Sequence, residues 1–321
     1  MKYAFIRAKL AAYPLSVVCR VLGVTQSGYH AWNGRLPSLR QCERERLRAD
    51  ITRVFEAHRG RYGAPRIYRV LCAQHGYSGS LNRIQVLMCS MGLRAKAGRK
   101  YKATTDSAHA LPVAPNLLGQ DFSCDTGPES TSHAKAPDQV WLSDITYLWT
   151  TEGWLYVCCV LDLFTRRIVG WSMAARMTSA LVLAALDMAY AKRRAPCGLI
   201  FHSDRGSQYA SRDARAWLNQ RGLRQSMSST GNCYDNAPME SFWHSLKVEE
   251  THGQNFATRD EAKHCVFSYI EGWYNTTRMH SSLGYTSPAQ FERACAATVN
   301  AANAECLNQN SHTARLNKRA A

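Results

Sequence analysis

The chain has 321 residues, 45% hydrophobic and 20% charged, with a formal net charge of +16. This composition belongs to a globular protein of two to three domains and excludes wholesale disorder. It also lacks any run of about 18 apolar residues, which excludes a membrane-spanning helix. The two most apolar stretches, 155–164 and 180–191, are interrupted by Asp162 and Asp187.

The N-terminal stretch MKYAFIRAKLAAYP carries Arg7 and Lys9 within a short apolar part. That pattern is unlike an export signal and points to a cytoplasmic protein. Residues 1–102 hold 20 Lys+Arg and 4 Asp+Glu, whereas residues 103–321 hold 20 of each. The whole positive excess therefore sits in the first third, the pattern of a basic module that meets a polyanion, with nucleic acid as the first candidate. The 12 cysteines include no C-x-x-C pair, so a zinc ribbon has no ligands at its usual spacing. Free thiols, many of them buried, are expected instead.

In chain order, SVVCRVLGVTQSGYHAWNG (16–34) predicts two short helices around Gly23, with Thr25 capping the second. The pattern fits a helix-turn-helix, and an ordinary αα-hairpin reads the same way. Residues 39–58 place Leu47, Ile51, Val54, Phe55 and His58 on one helical face, with Arg40, Arg44 and Arg48 on another. Two further helices follow, Ala64–His75 stopped by Gly76 and about Ser80–Met91 stopped by Gly92, a second helix-turn-helix-like unit. Arg83, Arg94, Lys96, Arg99, Lys100 and Lys102 in and after it can reach phosphates. The domain reading is thus 1–58 and 59–102 as basic helical modules and 103–136 as a weakly structured linker. A core over 137–297 and a poorly ordered tail over 298–321 complete it.

Within the core, QVWLSDITYLWT alternates apolar and polar residues and reads as a strand, and Glu152-Gly153 as a turn. WLYVCCVLDLFT and RRIVGWSMA read as second and third strands. Helix Thr178–Arg194, strand GLIFHSD, helix Ser211–Gln220, short strand LRQSMSS and helix Asn236–Glu250 follow. Taken alone, this order supports only an α/β class. It is also the order of the ribonuclease-H-like architecture, a mixed five-stranded sheet packed by helices, here preceded by an all-α helix-turn-helix-like region.

Two-metal phosphodiester chemistry needs carboxylates that converge from separate elements. Asp144 in the first strand, Asp204 just after the fourth and Glu240 near the start of the last core helix meet that need. Each has a plainer reading: a satisfied strand residue, a surface turn at Asp204-Arg205-Gly206, and an acid favouring a helix N-terminus. Asp162 is a further candidate ligand, and Asp235 a candidate cap.

Between Asp204 and Glu240 lie 35 residues, and Lys247 follows Glu240 by seven. With WLSDITY, HSDRGSQY, NAPMESFWHSLKVE, YNTTRMHSSLGYTSPAQFE and the N-terminal RYGAPRI, this resembles the second reading-frame product of a bacterial insertion-sequence transposase family with a retroviral-integrase-like DDE core. The resemblance spans most of residues 1–297. It implies a recombinase in which Asp144, Asp204 and Glu240 hold two Mg²⁺ (or Mn²⁺) ions and a 3′-hydroxyl attacks target phosphodiesters. It implies as partners double-stranded DNA (element terminal repeats and target), a homo-oligomer on DNA and a possible fusion with an upstream reading-frame product, in a bacterial, nucleoid-associated setting. Lys247 would touch a phosphate, and His202, Arg205 and Gln208 would shape the Asp204 loop and meet the DNA backbone. Tyr274, Asn275, Arg278 and His280 suit either DNA contact or closure of the core, and His244 suits either DNA positioning or packing. Ser143 stands where many relatives have Thr, and the zinc module of retroviral integrases is absent. A DNA-binding regulator, or a ribonuclease-H-like nuclease without joining activity, are the competing readings.

Overall fold

The computed structural model describes residues 2–9, 12–96, 111–124, 131–229 and 233–298. Arg99, Lys100, Lys102 and the tail beyond 298 lie outside the described residues. The chain forms two compact units, Met1–Arg94 and Ala95–Ala321.

The first unit is all helical. Helices α1 (Lys2–Lys9), α2 (Leu15–Val21) and α3 (Gln26–Asn33) pack around Ile6, Val18 and Cys19. The expected stop and cap are in place: Gly23 has φ +62° and Thr25 accepts from the Gly28 N–H. Helix α1 was not foreseen, because its eight residues carry no capping residue and bury only Ile6. Helix α4 (Leu39–Ala57), capped by Ser38, packs against α5 (Ala64–His75) and α6 (Leu81–Ser90) and buries Leu47, Ile51 and Val54. Gly76 ends α5 at φ +63°, a left-handed cap that costs glycine little. In RYGAPRI, Arg61 and Tyr62 are buried and Pro65 occupies the first turn of α5, so much of that motif builds the helical core.

The second unit is built on five strands: β1 (Val140–Thr150), β2 (Gly153–Asp162), β3 (Ile168–Ala174), β4 (Ile200–Ser203) and β5 (Arg224–Met227). Their order is β3-β2-β1-β4-β5. β1 pairs antiparallel with β2 and β2 with β3, whereas β1–β4 and β4–β5 are parallel. This is the mixed ribonuclease-H-like sheet that the element order suggests. β2 reads as a continuous apolar run because it is covered twice, by α7 (Ser179–Arg193) and by α10 (Arg259–Phe267). Gly170 of β3 lies so close to α7 that a Cβ there would stand 2.2 Å from the Ala185 carbonyl oxygen.

Helices α8 (Arg212–Gln220) and α9 (Ala237–Leu246) complete the layers. The helix expected to run from Asn236 to Glu250 is α-helical only to Leu246, then widens into a π-turn over Lys247–Thr251. Glu249 in that turn is buried and accepts from Tyr269 Oη, Trp273 Nε1 and Arg278 Nε. The Arg278 guanidinium also donates to Ser245 Oγ. Asn275 both accepts from the Ile168 N–H and donates to the Ile168 carbonyl, pairing the β3 edge as a strand would. Tyr274, Asn275, Arg278 and His280 are all buried, so this segment closes the core and DNA contact by these side chains is set aside.

The stretch read as a linker holds no helix or strand among its described residues, yet it is packed. Leu118 and Ala134 are buried, the Leu117 N–H donates to Ser226 Oγ, and Asn116 and Gln120 both donate to the Asp235 carboxylate. Side-chain bonds of this kind leave no periodic trace in a sequence. Among the described residues, no helix is long and apolar enough to cross a membrane.

Candidate active site

The backbone register brings the first two acids together. In the parallel β1–β4 pair Ser143 lies opposite Ser203, so Asp144 and Asp204 are the next residues along at the same sheet edge. β4 ends at Ser203, and the loop that follows is closed by the Gly206 N–H donating to Asp204 Oδ1 at 2.9 Å. A side chain at 206 would stand 3.0 Å from that same oxygen, so the glycine lets the carboxylate fold back onto its own loop.

The third acid is delivered by α9. Asn236, just before the helix, donates through Nδ2 to the Ser143 carbonyl at 3.1 Å. Trp243 donates through Nε1 to Asp144 Oδ2 at 3.0 Å. These two bonds pin α9 across residues 143–144 of β1, one on each side of Glu240. Spacing of three and seven residues places Glu240, Trp243 and Lys247 on one helical face. Lys247 is still helical (φ −64°, ψ −45°), and its Nζ stands 5.8 Å from the Tyr147 ring centroid.

Electrostatics bind the three acids into one group. Burial, then the neighbouring charge of Asp204 and a smaller one from Glu240, push the Asp144 carboxyl up to about 7, although bonds from the Ile145 N–H and Trp243 favour its ionised form. Glu240, exposed at the rim, is raised by desolvation. Hard carboxylate oxygens are the ligands that Mg²⁺ and Mn²⁺ prefer, and a divalent ion would offset the mutual repulsion that raises Asp144. The donor set therefore fits. Among the described residues, however, no three His, Cys, Asp or Glu side chains form a ready cluster for one ion. The acids share a rim without closing on a single point.

The other candidates divide. His202 is fully buried, with Nδ1 2.8 Å from Ser226 Oγ and Nε2 2.9 Å from the Asp235 carbonyl. A carbonyl only accepts, so Nε2 carries the proton; burial holds the ring down to about 4, which keeps it neutral. His202 therefore supports the loop, and the expectation that it meets a DNA backbone is corrected. Arg205 spends its Nε–H on the Ser228 carbonyl. Gln208 is half-buried beside Asp204 and donates weakly to the Met177 carbonyl at 3.4 Å. Arg83 and Arg94 are exposed, and the exposed Lys96 donates to the Glu249 carbonyl.

Asp162 is not a ligand candidate in this fold. It lies opposite Trp141, three residues before Asp144 and so on the other face of the sheet, and accepts from the Asp138 N–H, the Thr165 N–H and Thr165 Oγ1. Nor does Asp235 cap α9: its carboxylate gathers Asn116, Gln120 and the Ser229 N–H. Sequence reasoning missed Trp243 and Asn236 as positioning residues. A polar-capable side chain three residues from Glu240 on the same helical face was the available signal for the first.

Comparison with known proteins shows the family. The chain matches the Integrase core domain family over residues 134–233 and again, through a second model of that description, over 240–294; an HTH-like domain matches 43–101. It is 46% identical over 294 residues to the Escherichia coli (strain K12) transposase InsF for insertion sequence IS3A, covering 91% of this chain and 98% of the relative. The chain belongs to the IS3-type insertion-sequence transposases. A 31 kDa protein of insertion element IS600 from Shigella sonnei is likewise 46% identical, over 85% of this chain and 97% of its own length. Among solved structures, a simian T-cell lymphotropic virus intasome chain matches with TM-score 0.42 at 15% identity, covering 69% of both chains. The HTLV-2 integrase catalytic core domain in complex with magnesium matches with TM-score 0.37 at 14% identity, over 49% of this chain and 97% of that one. As a transposase of this family the chain is a DNA-binding polynucleotidyl transferase.

Proposed function

We propose that Asp144, Asp204 and Glu240 are the acids with which this transposase cuts the ends of its insertion element and joins them to target DNA. One observation carries the assignment: α9 is pinned to β1 on both sides of Glu240, by Asn236 at Ser143 and by Trp243 at Asp144. That attachment and the β1–β4 register bring three acids from three elements to one rim. Two divalent ions held there would supply Lewis-acid stabilisation of the attacking and leaving oxygens.

The chain's own residues do the positioning. Trp243 and the Ile145 N–H fix the two Asp144 oxygens, and the Gly206 N–H fixes Asp204. Lys247, on the Glu240 face, is placed to hold a phosphate of the strand being cut. Arg83, on α6 of the basic helical unit, and Arg94 are among the described cations suited to phosphates outside the core. Assembly as a homo-oligomer on DNA, and fusion to an upstream reading-frame product, belong to the same proposal.

The test is incubation of the protein, alone and fused to the upstream product, with a labelled element end and Mg²⁺ or Mn²⁺. Strand transfer that disappears in Asp204→Asn supports the assignment. Normal cutting by Asp204→Asn refutes it, and cutting without joining makes the protein a nuclease.

A further inference from the structure

The outer end of the β1–β2 hairpin carries aromatic side chains that the fold leaves uncovered. Tyr147 pairs across the strands with Tyr156, and Trp149 with Trp154. Strand alternation puts all four on one face of the sheet. Deeper on that face Cys158 and Val160 join the core formed with α7, and Tyr156 only borders it. Further out, Trp149 is 60% exposed, Trp154 42% and Tyr147 37%. The rings meet edge to face, Tyr147 on Trp154 at 4.9 Å and Trp149 on Trp154 at 4.8 Å. Large aromatics are rarely left in water in such a cluster unless something stacks on them.

The cluster does not stand apart from the acids. Tyr147, Trp154 and Tyr156 form one wall of a cleft of about 520 Å³, whose other boundary is Met177, Asp204 and Gln208. The cleft thus runs from the Asp204 carboxylate onto the aromatic wall. Its lining includes the Asp204 carboxylate, the Ser207 hydroxyl and the Gln208 amide, and the Lys247 ammonium stands 5.8 Å from the Tyr147 ring centroid. Flat π surfaces, an amide and a neighbouring cation are the features that take a base and its phosphate. A second copy of the chain would instead seek a wide dry face, and an acid in the cleft wall makes this a poor one.

We propose that this cleft holds an unpaired nucleobase of the DNA strand lying at Asp204, stacked on Trp154 and Tyr147. The inference rests on the reading of Asp204 as a catalytic acid. Its role follows from the geometry of duplex DNA, in which a stacked, paired base offers no face to a protein side chain. A base drawn out of the stack beside the scissile phosphate exposes that phosphate and fixes the strand's register. Stacking tolerates any base, so the site would select for an unpaired nucleotide and not for a sequence.

The probe is a duplex ending in one unpaired 2-aminopurine, compared with the same duplex blunt-ended, each titrated into the full chain. The wild-type protein is expected to favour the unpaired end about tenfold and to quench the probe, the size of one base–aromatic stack. Trp154→Leu keeps an apolar side chain but removes the flat ring and loses the preference; Trp154→Phe retains most of it; Tyr147→Leu, a second route should Trp154→Leu fold poorly, reduces it. Binding of the blunt duplex stays constant throughout. A wild-type protein without the preference overturns the proposal, as does a Trp154→Leu protein that keeps it or weakens both duplexes equally. A Trp154→Leu change in oligomeric mass without DNA, with the preference intact, would assign the surface to a second copy. Asp204→Asn separates the two readings: it should lose cutting and keep the preference. Normal cutting by that variant would overturn the catalytic assignment while leaving the stacking result to stand or fall by itself.

Discussion

Replacing Asp144 by Asn should make the protein inactive and, at neutral pH without metal, more stable. The carboxyl titrates near 7 in the fold, against an ordinary 3.8, because it is buried and faces Asp204 and Glu240. Between those values the folded chain holds a proton that the unfolded chain has lost. Stability therefore falls as pH rises from about 4 to about 7 and is flat above. Raising the carboxyl from 3.8 to about 7 corresponds to an upper bound of about 4 kcal/mol. Solvent screening at a half-buried site lowers that figure, as does the hydrogen bond that the substituted amide would forfeit to either Trp243 or the Ile145 N–H. About 1–2 kcal/mol of net gain remains for Asp144→Asn at pH 8, and less than half of it at pH 5. Thermal melting of both proteins in EDTA at the two pH values reads this as a rise of a few degrees that narrows in acid. Added Mg²⁺ or Mn²⁺ should then stabilise the wild type and leave the variant behind. An Asp144→Asn protein that melts below wild type at pH 8, or a margin that ignores pH, would refute the claim that burial and the neighbouring acids raise the Asp144 carboxyl.

Three further outcomes follow from packing and charge. Glu249→Ala strands the buried Arg278 guanidinium and should cost about 3–5 kcal/mol in urea denaturation, whereas loss of the exposed Lys263–Asp260 pair should leave the midpoint nearly unchanged. Gly170→Ala drives a methyl into the Ala185 carbonyl and should lower stability by about 1–3 kcal/mol or more, measured as the shift in melting temperature. Arg83→Ala should weaken DNA binding across sequences and lower the salt slope by about one, whereas His202→Ala should leave that slope unchanged while loosening the Asp204 loop.

The sequence alone determined a good deal. Period and punctuation located the helices at Ala64–His75 and Ser179–Arg193 and the strands around Asp144 and His202, because caps, glycines and apolar spacing act locally. The 35-residue interval and the phrases around each acid were enough to place the chain among DDE enzymes before any contact was known. What a residue's neighbours are was not legible. His202 stands in a motif yet is buried and neutral; Asp162 looks like a spare ligand yet caps a strand end. The residues of 111–124 look like linker yet clasp Asp235, and the helix after Glu240 turns to π geometry at Lys247. Each outcome depends on groups far apart along the chain: burial, charge and hydrogen bonding are set by what folds against a residue, and that is decided only when the sheet and α9 close around it.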